Sequence, residues 1–259
     1  MAIFSHPIWG YQLTYPNGWV HQTSGDVEAF AAVKAALNTE YSGSLAGHLA
    51  ARCEFNFLGE SLDPLWKEHI SKLSIMLGAK NIGSAPFSMG GGNGYEAEIV
   101  MPKKKNKRLW TGILSYGLTI LHLVVTHPLE QREWFEPLAT SIVTSLRFIS
   151  HVPDLPTTND DIPLPPNYST SDPSAILQDI KKEQNWQAYT INAPVEALQA
   201  FYLRELPKFS WEIDEFTPYP NQVNIHFARL LAKKDEQIAS LGIVPMAGGE
   251  KTSTVVIKI

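Results

Sequence analysis

A proline-rich segment near the middle of the chain is the feature that most constrains its fold. Residues 151–173 contain six prolines and four aspartates but few large apolar side chains. Because proline fixes φ and removes a backbone donor, the segment predicts a semi-extended strap. Three larger side chains, Ile162, Leu164 and Tyr168, are expected to pin it to a domain surface. The resulting domain plan is residues 1–150, a proline-rich acidic linker at 151–172, and residues 173–259.

The distribution of charge argues against nucleic-acid binding. Residues 1–150 carry 12 basic and 12 acidic residues, and residues 173–259 carry 9 basic and 10 acidic residues. Most of the net charge of −5 therefore comes from the four aspartates of the linker. Neither domain has the strongly basic face that a phosphate backbone requires, so we expect no nucleic-acid partner.

Composition predicts a folded protein without a membrane-spanning segment. Apolar residues make up 44% of the 259 residues. The longest apolar candidate, Leu118 to Val125, has eight residues, whereas a membrane helix needs about 18. The region from Met1 to Tyr15 does not resemble a signal peptide, which predicts a cytoplasmic protein. An extracytoplasmic location stays open if a leader was removed upstream of Met1.

Side-chain periodicity predicts the elements of the first domain. The continuous apolar run from Leu121 to Val125 indicates a central strand that is covered on both faces. Hairpin-connected strands grouped around two helices predict an α+β fold with an antiparallel sheet. The expected strands are 11–15, 52–57, 95–101, 109–116 and 118–126, and the expected helices are about 61–78 and 130–146.

The second domain is predicted to be a smaller α+β domain of βαβββ type. Asp172-Pro173 is typical of a helix start, and it predicts a short helix with Ile176, Leu177 and Ile180 facing inward. A longer helix is expected to begin at Pro194. The expected strands are 187–191, 211–216, 222–229, 236–243 and 252–259.

The first domain resembles the PsbP-like family over roughly residues 8–149. This family has an α/β/α sandwich fold, found in an extrinsic photosystem II subunit, a Ran-binding import factor and many bacterial proteins of unassigned role. The resemblance implies an accessory subunit or a protein that binds other proteins. No metal or partner residue of the family has a counterpart in the sequence. The motifs that carry the resemblance are Tyr11-x-Leu13-x-Tyr15-Pro16-x-Gly18-Trp19, Gly94-Tyr95 and Ser145-Leu146-Arg147-Phe148.

The second domain resembles a small module at the C-terminus of bacterial lipoproteins and envelope proteins. The family pattern usually has glycine before the tryptophan, whereas this chain has Ser210 there, so the helix-to-strand turn is expected to differ. The resemblance implies no enzymatic activity. The matching residues are Val195-x5-Phe201-Tyr202-x3-Leu206-x4-Trp211.

Several motifs suggest chemistry but fit ordinary structural roles better. The glycine-rich run from Ser88 to Gly94 leads into a strand, which favours an inter-strand turn over a phosphate loop. Glu68-His69 lacks the second histidine of a zincin helix, and His122 and His127 are expected on opposite faces of one strand. The single cysteine, Cys53, is expected to be buried and inert. We therefore expect no metal site, no cofactor and no catalytic residues.

Exposed tryptophans and a basic hairpin tip are the candidate contact residues. Indole rings at element edges often mark contact sites. A run of five cations in six residues is typical of a solvated loop, or of a loop that docks on an acidic protein surface. The candidate residues are Trp9, Trp19, Trp186, Lys103, Lys104, Lys105, Lys107 and Arg108.

Taken together, these patterns favour a non-catalytic binding or accessory protein. Its partner is expected to be another protein or a small apolar ligand. The alternative is an enzyme with a site between the two domains, built from residues that are distant in sequence, such as Cys53, Glu98 or His122. Convergent polar side chains in a cleft would favour the alternative.

Overall fold

Most of the structure consists of strands whose side chains alternate between apolar and polar. The fold is mixed α+β with largely antiparallel sheets. It is a computed structural model that describes residues 1–38, 41, 43, 45–77, 80–100, 107–176, 185–220, 227–246 and 249–259. The chain divides into two units, one made of residues 1–5 and 11–148 and the other of residues 6–10 and 149–259. No helix in these described ranges has the length and apolarity that crossing a bilayer would require.

The first unit contains two α-helices and ten strands among the described residues. These elements are β1 (Ala2–His6), β2 (Tyr11–Tyr15), β3 (Val20–Ser24), β4 (Val27–Ala31), β5 (His48–Phe55), α1 (Leu62–Leu77), β6 (Lys80–Met89), β7 (Gly92–Val100), β8 (Lys107–Tyr116), β9 (Thr119–Pro128), α2 (Arg132–Thr144) and β10 (Arg147–Phe148). Strands β1, β2 and β10 form a small sheet, and the other seven form a large antiparallel sheet in the order β3-β4-β5-β9-β8-β7-β6.

Strand β9 is the centre of the large sheet because it pairs with β5 on one side and β8 on the other. The prediction of a strand covered on both faces is confirmed. Leu121 and Leu123 are buried on the face toward α2, whereas His122 and Val124 lie on the face toward α1. Residues 119–126 of β9 are paired on both sides, so their side chains are held at fixed positions.

Helix α1 covers one face of the large sheet. It begins one residue after Ser61, with Pro64 in its first turn, as the sequence pattern predicts. Trp66, whose side chain is buried, packs on the sheet among Ile99, Leu109 and Ile113. Leu65, Ile70 and Leu73 pack on the same cluster and recur with Trp66 at helical spacing, so one stripe of α1 faces the sheet.

Helix α2 covers the opposite face and is anchored by buried Phe135 and Ile142. The predicted turn in the glycine-rich run is also confirmed. Gly90 and Gly91, at φ +61° and +93°, join β6 to β7 in a hairpin. These are left-handed conformations that glycine adopts without strain, which explains the glycines without a ligand.

The second unit contains one six-stranded antiparallel sheet and one α-helix among the described residues. Its elements are β11 (Ser169–Ser171), β12 (Trp186–Ile191), α3 (Val195–Glu205), β13 (Glu212–Thr217), β14 (Ala228–Lys234), β15 (Gln237–Met246) and β16 (Gly249–Lys258). The strand order is β11-β12-β16-β15-β14-β13. Four strands follow the helix, one more than in a βαβββ arrangement.

One expectation for the second unit lies largely outside the described residues, and another differs from the structure. Pro173–Ala175 forms a single 3₁₀ turn, capped where Asp172 accepts a hydrogen bond from the amide of Ser174. Residues 177–184, and with them the predicted inward positions Leu177 and Ile180, lie outside the described residues. Ser210 adopts a left-handed conformation at φ +66°. Glycine takes this conformation more easily than serine does, so the turn has the conformation expected for glycine at this position and does not differ as predicted.

The proline-rich segment packs within the second unit. Ile162 and Leu164 are almost fully buried. Trp211 donates its indole N–H to the carbonyl oxygen of Asp161, and Lys234 Nζ lies 3.0 Å from the Asp161 carboxylate. These contacts agree with the expected docking through Ile162 and Leu164, whereas Tyr168 is exposed and its ring contacts Tyr189 edge-on. The independence of residues 1–150 and 173–259 as folding domains stays a prediction.

Replacement of Ile162 by alanine tests whether this segment is part of the core. Ile162 is 0% exposed, so Ile162→Ala removes buried methyl groups and leaves a cavity. We expect the free energy of unfolding of the second unit to fall by about 2–5 kcal/mol in urea denaturation. The matched control is Ile238→Ala, because Ile238 is 57% exposed. Equal effects of the two substitutions would mean that the segment is only a tether.

Candidate functional site

Two concave sites lie on opposite faces of the seven-stranded sheet in the first unit. Strand β9 contributes to both because its side chains alternate between the faces. His122 faces the site under α1, and His127 faces the site under α2. The prediction that these two histidines lie on opposite faces of one strand is therefore confirmed.

A pair of histidines occupies the site under α1. His69 comes from α1 and His122 from β9, and their Nδ1 atoms are 3.4 Å apart. Glu54 on β5 lies beside them, with Oε1 at 3.3 Å from Nε2 of His122. That distance suits an ion pair, although the two groups are not aligned as in a hydrogen bond. We refer to His69, His122 and Glu54 as the histidine pair site.

The hydrogen bonds of Thr111 define the tautomer of His69. Thr111, which is fully buried on β8, donates its hydroxyl hydrogen to the carbonyl oxygen of Leu123. The Thr111 oxygen can then only accept from Nε2 of His69, 2.8 Å away. Nε2 of His69 therefore carries the hydrogen, and Nδ1 of His69 presents a lone pair to His122.

Burial lowers the pKa of His69. Desolvation under α1 is the main cause, the neighbouring His122 adds to it, and together they bring the pKa from 6.5 to about 4. His69 is therefore neutral at physiological pH. The adjacent carboxylate behaves differently, because its contact with His122 holds the pKa of Glu54 below its usual value despite partial burial.

The histidine pair site opens to solvent through a pocket of about 230 Å³. Its rim carries both signs of charge. The cations are Arg52 and Lys72, and the carboxylates are Glu54 and Glu68. Lys72 pairs with Glu68 at 2.6 Å, one turn away on α1. Water and small ions can therefore reach the imidazoles, although the indole ring of Trp66 stacks on His69 at 5.8 Å from one side.

The site under α2 is a larger pocket of about 350 Å³ between that helix and the sheet. Aromatic and aliphatic side chains form its body, with the half-buried rings of Phe87 and Trp110 in an edge-to-face contact at 5.5 Å. Val125, Ala139 and Val143 line it as well. We refer to it as the α2 pocket.

Three carboxylates surround the α2 pocket. Glu98 has Arg108 at 4.0 Å, and Glu136 has the guanidinium of Arg132 at 2.9 Å. Glu96 instead accepts a hydrogen bond from the indole N–H of Trp110, and it has no ion-pair partner among the described residues. The pocket thus combines an aromatic wall with a carboxylate whose charge is not matched by a described cation.

The histidine in the α2 pocket has the opposite tautomer to His69. Nδ1 of His127 is 2.9 Å from the carbonyl oxygen of Pro128. A carbonyl oxygen only accepts, so Nδ1 carries the hydrogen. Nε2 of His127 faces Oε1 of Glu136 at 3.3 Å.

The candidate tryptophans occupy different environments. Trp9 is buried within the second unit. Trp19 is half-buried and stacks on Phe135 at 5.9 Å in the first unit. Trp186 is half-buried on β12, where Lys258 Nζ lies over its ring at 5.4 Å. Trp9 therefore offers little contact surface, while contact roles for Trp19 and Trp186 stay predictions.

Only part of the basic candidate region can be located. Lys103, Lys104 and Lys105 lie outside the described residues. Lys107 and Arg108 form the start of β8, where Lys107 Nζ is 3.5 Å from the carbonyl oxygen of Tyr41. Arg108 lines the α2 pocket. Any contact that Arg108 makes with a partner would therefore be made at that pocket.

The residues suggested for an enzyme do not come together. His122 faces α1, whereas Glu98 lines the α2 pocket on the opposite face. Cys53 is buried, and desolvation raises the pKa of its thiol well above the usual value. In the described ranges, no three His, Cys, Asp or Glu side chains surround a common point that could hold a metal ion.

Sequence reasoning did not identify the histidine pair site. His69 lies three residues after Trp66, which places it on the sheet-facing stripe of α1. That spacing was the available signal. The proximity of His122 depends on how α1 sits across β8 and β9, and no local pattern contains this information.

No protein-family model matches the chain, and no curated protein sequence matches it. Solved structures with a partial likeness include cyanobacterial PsbP from Synechocystis, with 15% identity and a TM-score of 0.42. The match covers 57% of this chain and 91% of the PsbP chain. LpqN of Mycobacterium tuberculosis, described as involved in cell envelope biogenesis, has 13% identity and a TM-score of 0.41 over 57% of this chain and 90% of that chain.

A Bacteroides thetaiotaomicron structure matches 96% of this chain and 87% of its own, with 10% identity and a TM-score of 0.41. All these TM-scores are below 0.5. The structural neighbours include PsbP and LpqN, and the detailed assignment of each domain to a family stays a prediction.

The depressed pKa of His69 predicts a pH-dependent stability. In the unfolded chain the pKa of His69 is near its ordinary value of 6.5, whereas in the folded chain the pKa is about 4. The unfolded state therefore binds more protons in this window, so the free energy of unfolding falls as the pH drops from 6.5 to about 4. We expect His69→Gln to weaken this dependence in urea denaturation at several pH values with EDTA present.

His21→Gln is the control for this experiment, because His21 lies outside the site and pairs with Glu28. It should retain the pH dependence of the parent chain in this window. If His69→Gln retained it as well, His69 would not be buried as described.

Proposed function

We propose that this chain is a non-catalytic binding protein whose first unit binds a small amphipathic cation in the α2 pocket. The observation that carries the proposal is a concave, largely apolar pocket with an aromatic wall and a carboxylate, Glu96, that has no cationic partner among the described residues. Small-molecule sites commonly have this composition, an apolar body with a few placed polar groups.

The size of the α2 pocket favours a small ligand over a protein partner. Its volume of about 350 Å³ is at the lower end of the range for small-molecule sites, roughly 300–1,000 Å³. The walls come from α2 and from strands of the central sheet, which are rigid elements. The pocket is therefore formed before a ligand arrives, and little ordering is needed on binding.

The charges favour a cation over an anion. An ammonium group near Glu96 would gain an ion pair beside the indole of Trp110. A carboxylate ligand would meet three glutamates, and Arg108 and Arg132 are already paired with two of them. An aromatic or aliphatic body would fill the space next to Phe87.

The experiment compares two probes with similar bodies and opposite charges, phenethylamine and 3-phenylpropionate. Titrations followed by ¹H–¹⁵N NMR spectra should show that the amine binds more tightly and shifts the indole N–H signal of Trp110. Trp110→Ala should weaken binding of the amine by about tenfold, because it removes the aromatic wall.

Glu96→Gln is the sharper variant, because the amide oxygen can still accept the hydrogen bond from Trp110 while the charge is lost. We expect about threefold to fivefold weaker binding of the amine, in line with a partly exposed ion pair. Glu133→Gln, which changes an exposed carboxylate on α2 outside the pocket lining, should leave binding unchanged. Preferential binding of 3-phenylpropionate, or equal effects of the two glutamine variants, would contradict the proposal.

A further inference from the structure

The histidine pair site has two imidazole nitrogens directed toward each other. In each ring the second nitrogen faces an acceptor, which is Thr111 Oγ1 for His69 and Glu54 Oε1 for His122. If both of those nitrogens carry hydrogens, both Nδ1 atoms present lone pairs at a separation of 3.4 Å. Two facing lone pairs repel each other unless a cation lies between or beside them.

The separation of the two nitrogens suits a bound metal ion. Two nitrogens at about 2.05 Å from one tetrahedral ion lie about 3.3 Å apart. The ring centroids of His69 and His122 are 5.1 Å apart. Collinear rings joined by an N–H···N bond of this length would have centroids about 5.7 Å apart, so at least one lone pair points off the line between the nitrogens, as it does toward an ion beside that line.

The surrounding contacts resemble the outer shell of known metal sites. Histidine ligands usually donate their second N–H to a carboxylate or another oxygen acceptor, which fixes the ring orientation. Here Thr111 accepts from His69 and is itself held by the carbonyl of Leu123, and the Glu54 carboxylate lies 3.3 Å from Nε2 of His122 without the alignment of a hydrogen bond. The two rings come from α1 and β9, so regular elements hold them in place.

We propose that His69 and His122 bind a divalent ion of the Zn²⁺, Ni²⁺ or Cu²⁺ class through their Nδ1 atoms. Imidazole nitrogen is a preferred ligand of these ions. The described residues offer no third His, Cys, Asp or Glu around the same point, so water from the adjoining pocket completes the coordination. The site is independent of the α2 pocket, which lies on the other face of the sheet.

A proton is the competing occupant of the space between the two Nδ1 atoms. With Nε2 of His69 held by Thr111, a hydrogen on Nδ1 of His122 can be donated to Nδ1 of His69. The metal ion must displace this hydrogen, which moves to Nε2 of His122 beside Glu54, and binding weakens as the pH falls because a protonated imidazole has no lone pair for the metal. The pH dependence of binding therefore distinguishes an ion held by imidazoles from an ion held only by carboxylates at the pocket rim.

Calorimetric titration of the full chain with Zn²⁺ and Ni²⁺ near neutral pH tests the proposal. We expect one ion per chain and an affinity that falls when the titration is repeated at lower pH. His69→Gln and His122→Gln should each weaken binding by more than the roughly 10- to 100-fold that loss of an outer-shell partner costs. His21→Gln, which alters a histidine–glutamate pair elsewhere, should bind as the parent chain does.

Electron paramagnetic resonance of the Cu²⁺-loaded parent chain provides a readout that needs no variant. The proposal predicts hyperfine coupling to two imidazole nitrogens, and one or none would overturn it. No ion bound up to millimolar concentration, or binding that survives both glutamine variants, would overturn it as well. Circular dichroism on each variant separates loss of the site from loss of the fold.

Discussion

The position of β9 between β5 and β8 is the constraint on which the rest of the first unit depends. Paired along both edges, this strand cannot slip by one residue without moving Leu121 and Leu123 out of the core. Its alternation therefore fixes His122 on the α1 face and His127 on the α2 face. The two candidate sites follow from this single register, with one helix covering each of them.

Each face contains polar groups that cost free energy to bury, and each compensates them with specific partners. On the α1 face, His69 stays neutral and donates to Thr111, while Glu54 remains ionised beside His122. On the α2 face, Glu96 accepts from Trp110 and two further glutamates pair with arginines. A buried polar group without a partner would destabilise the sheet, so these contacts limit which side chains each site can hold. The same contacts give the sites defined tautomers and charges, which is what makes them candidates for binding.

The sequence was sufficient for the local features and insufficient for those that depend on docking. Helix α1, strands β8 and β9 and the turn at Gly90 and Gly91 follow from short-range periodicity and glycine chemistry. Strand β6 did not, because Pro86 and a bulge near Gly83 obscure its alternation, as expected for a strand at the sheet edge. The histidine pair site combines α1, β5 and β9, whose relative positions no local pattern encodes. Likewise, proline content suggested a linker at 151–172 but could not reveal that Ile162 fills a space in the second unit.

The most direct test of this account is a long-range ¹H–¹⁵N NMR spectrum of the histidine side chains in the EDTA-treated full chain. The nitrogen shifts report which atom of each ring carries the hydrogen. The account predicts opposite tautomers on the two faces, with Nε2–H in His69 and Nδ1–H in His127, and a His69 ring that stays neutral well below its ordinary pKa of 6.5. A hydrogen on Nδ1 of His69 instead of Nε2, or a His69 that titrates like an exposed imidazole, would contradict the placement of α1 on the sheet.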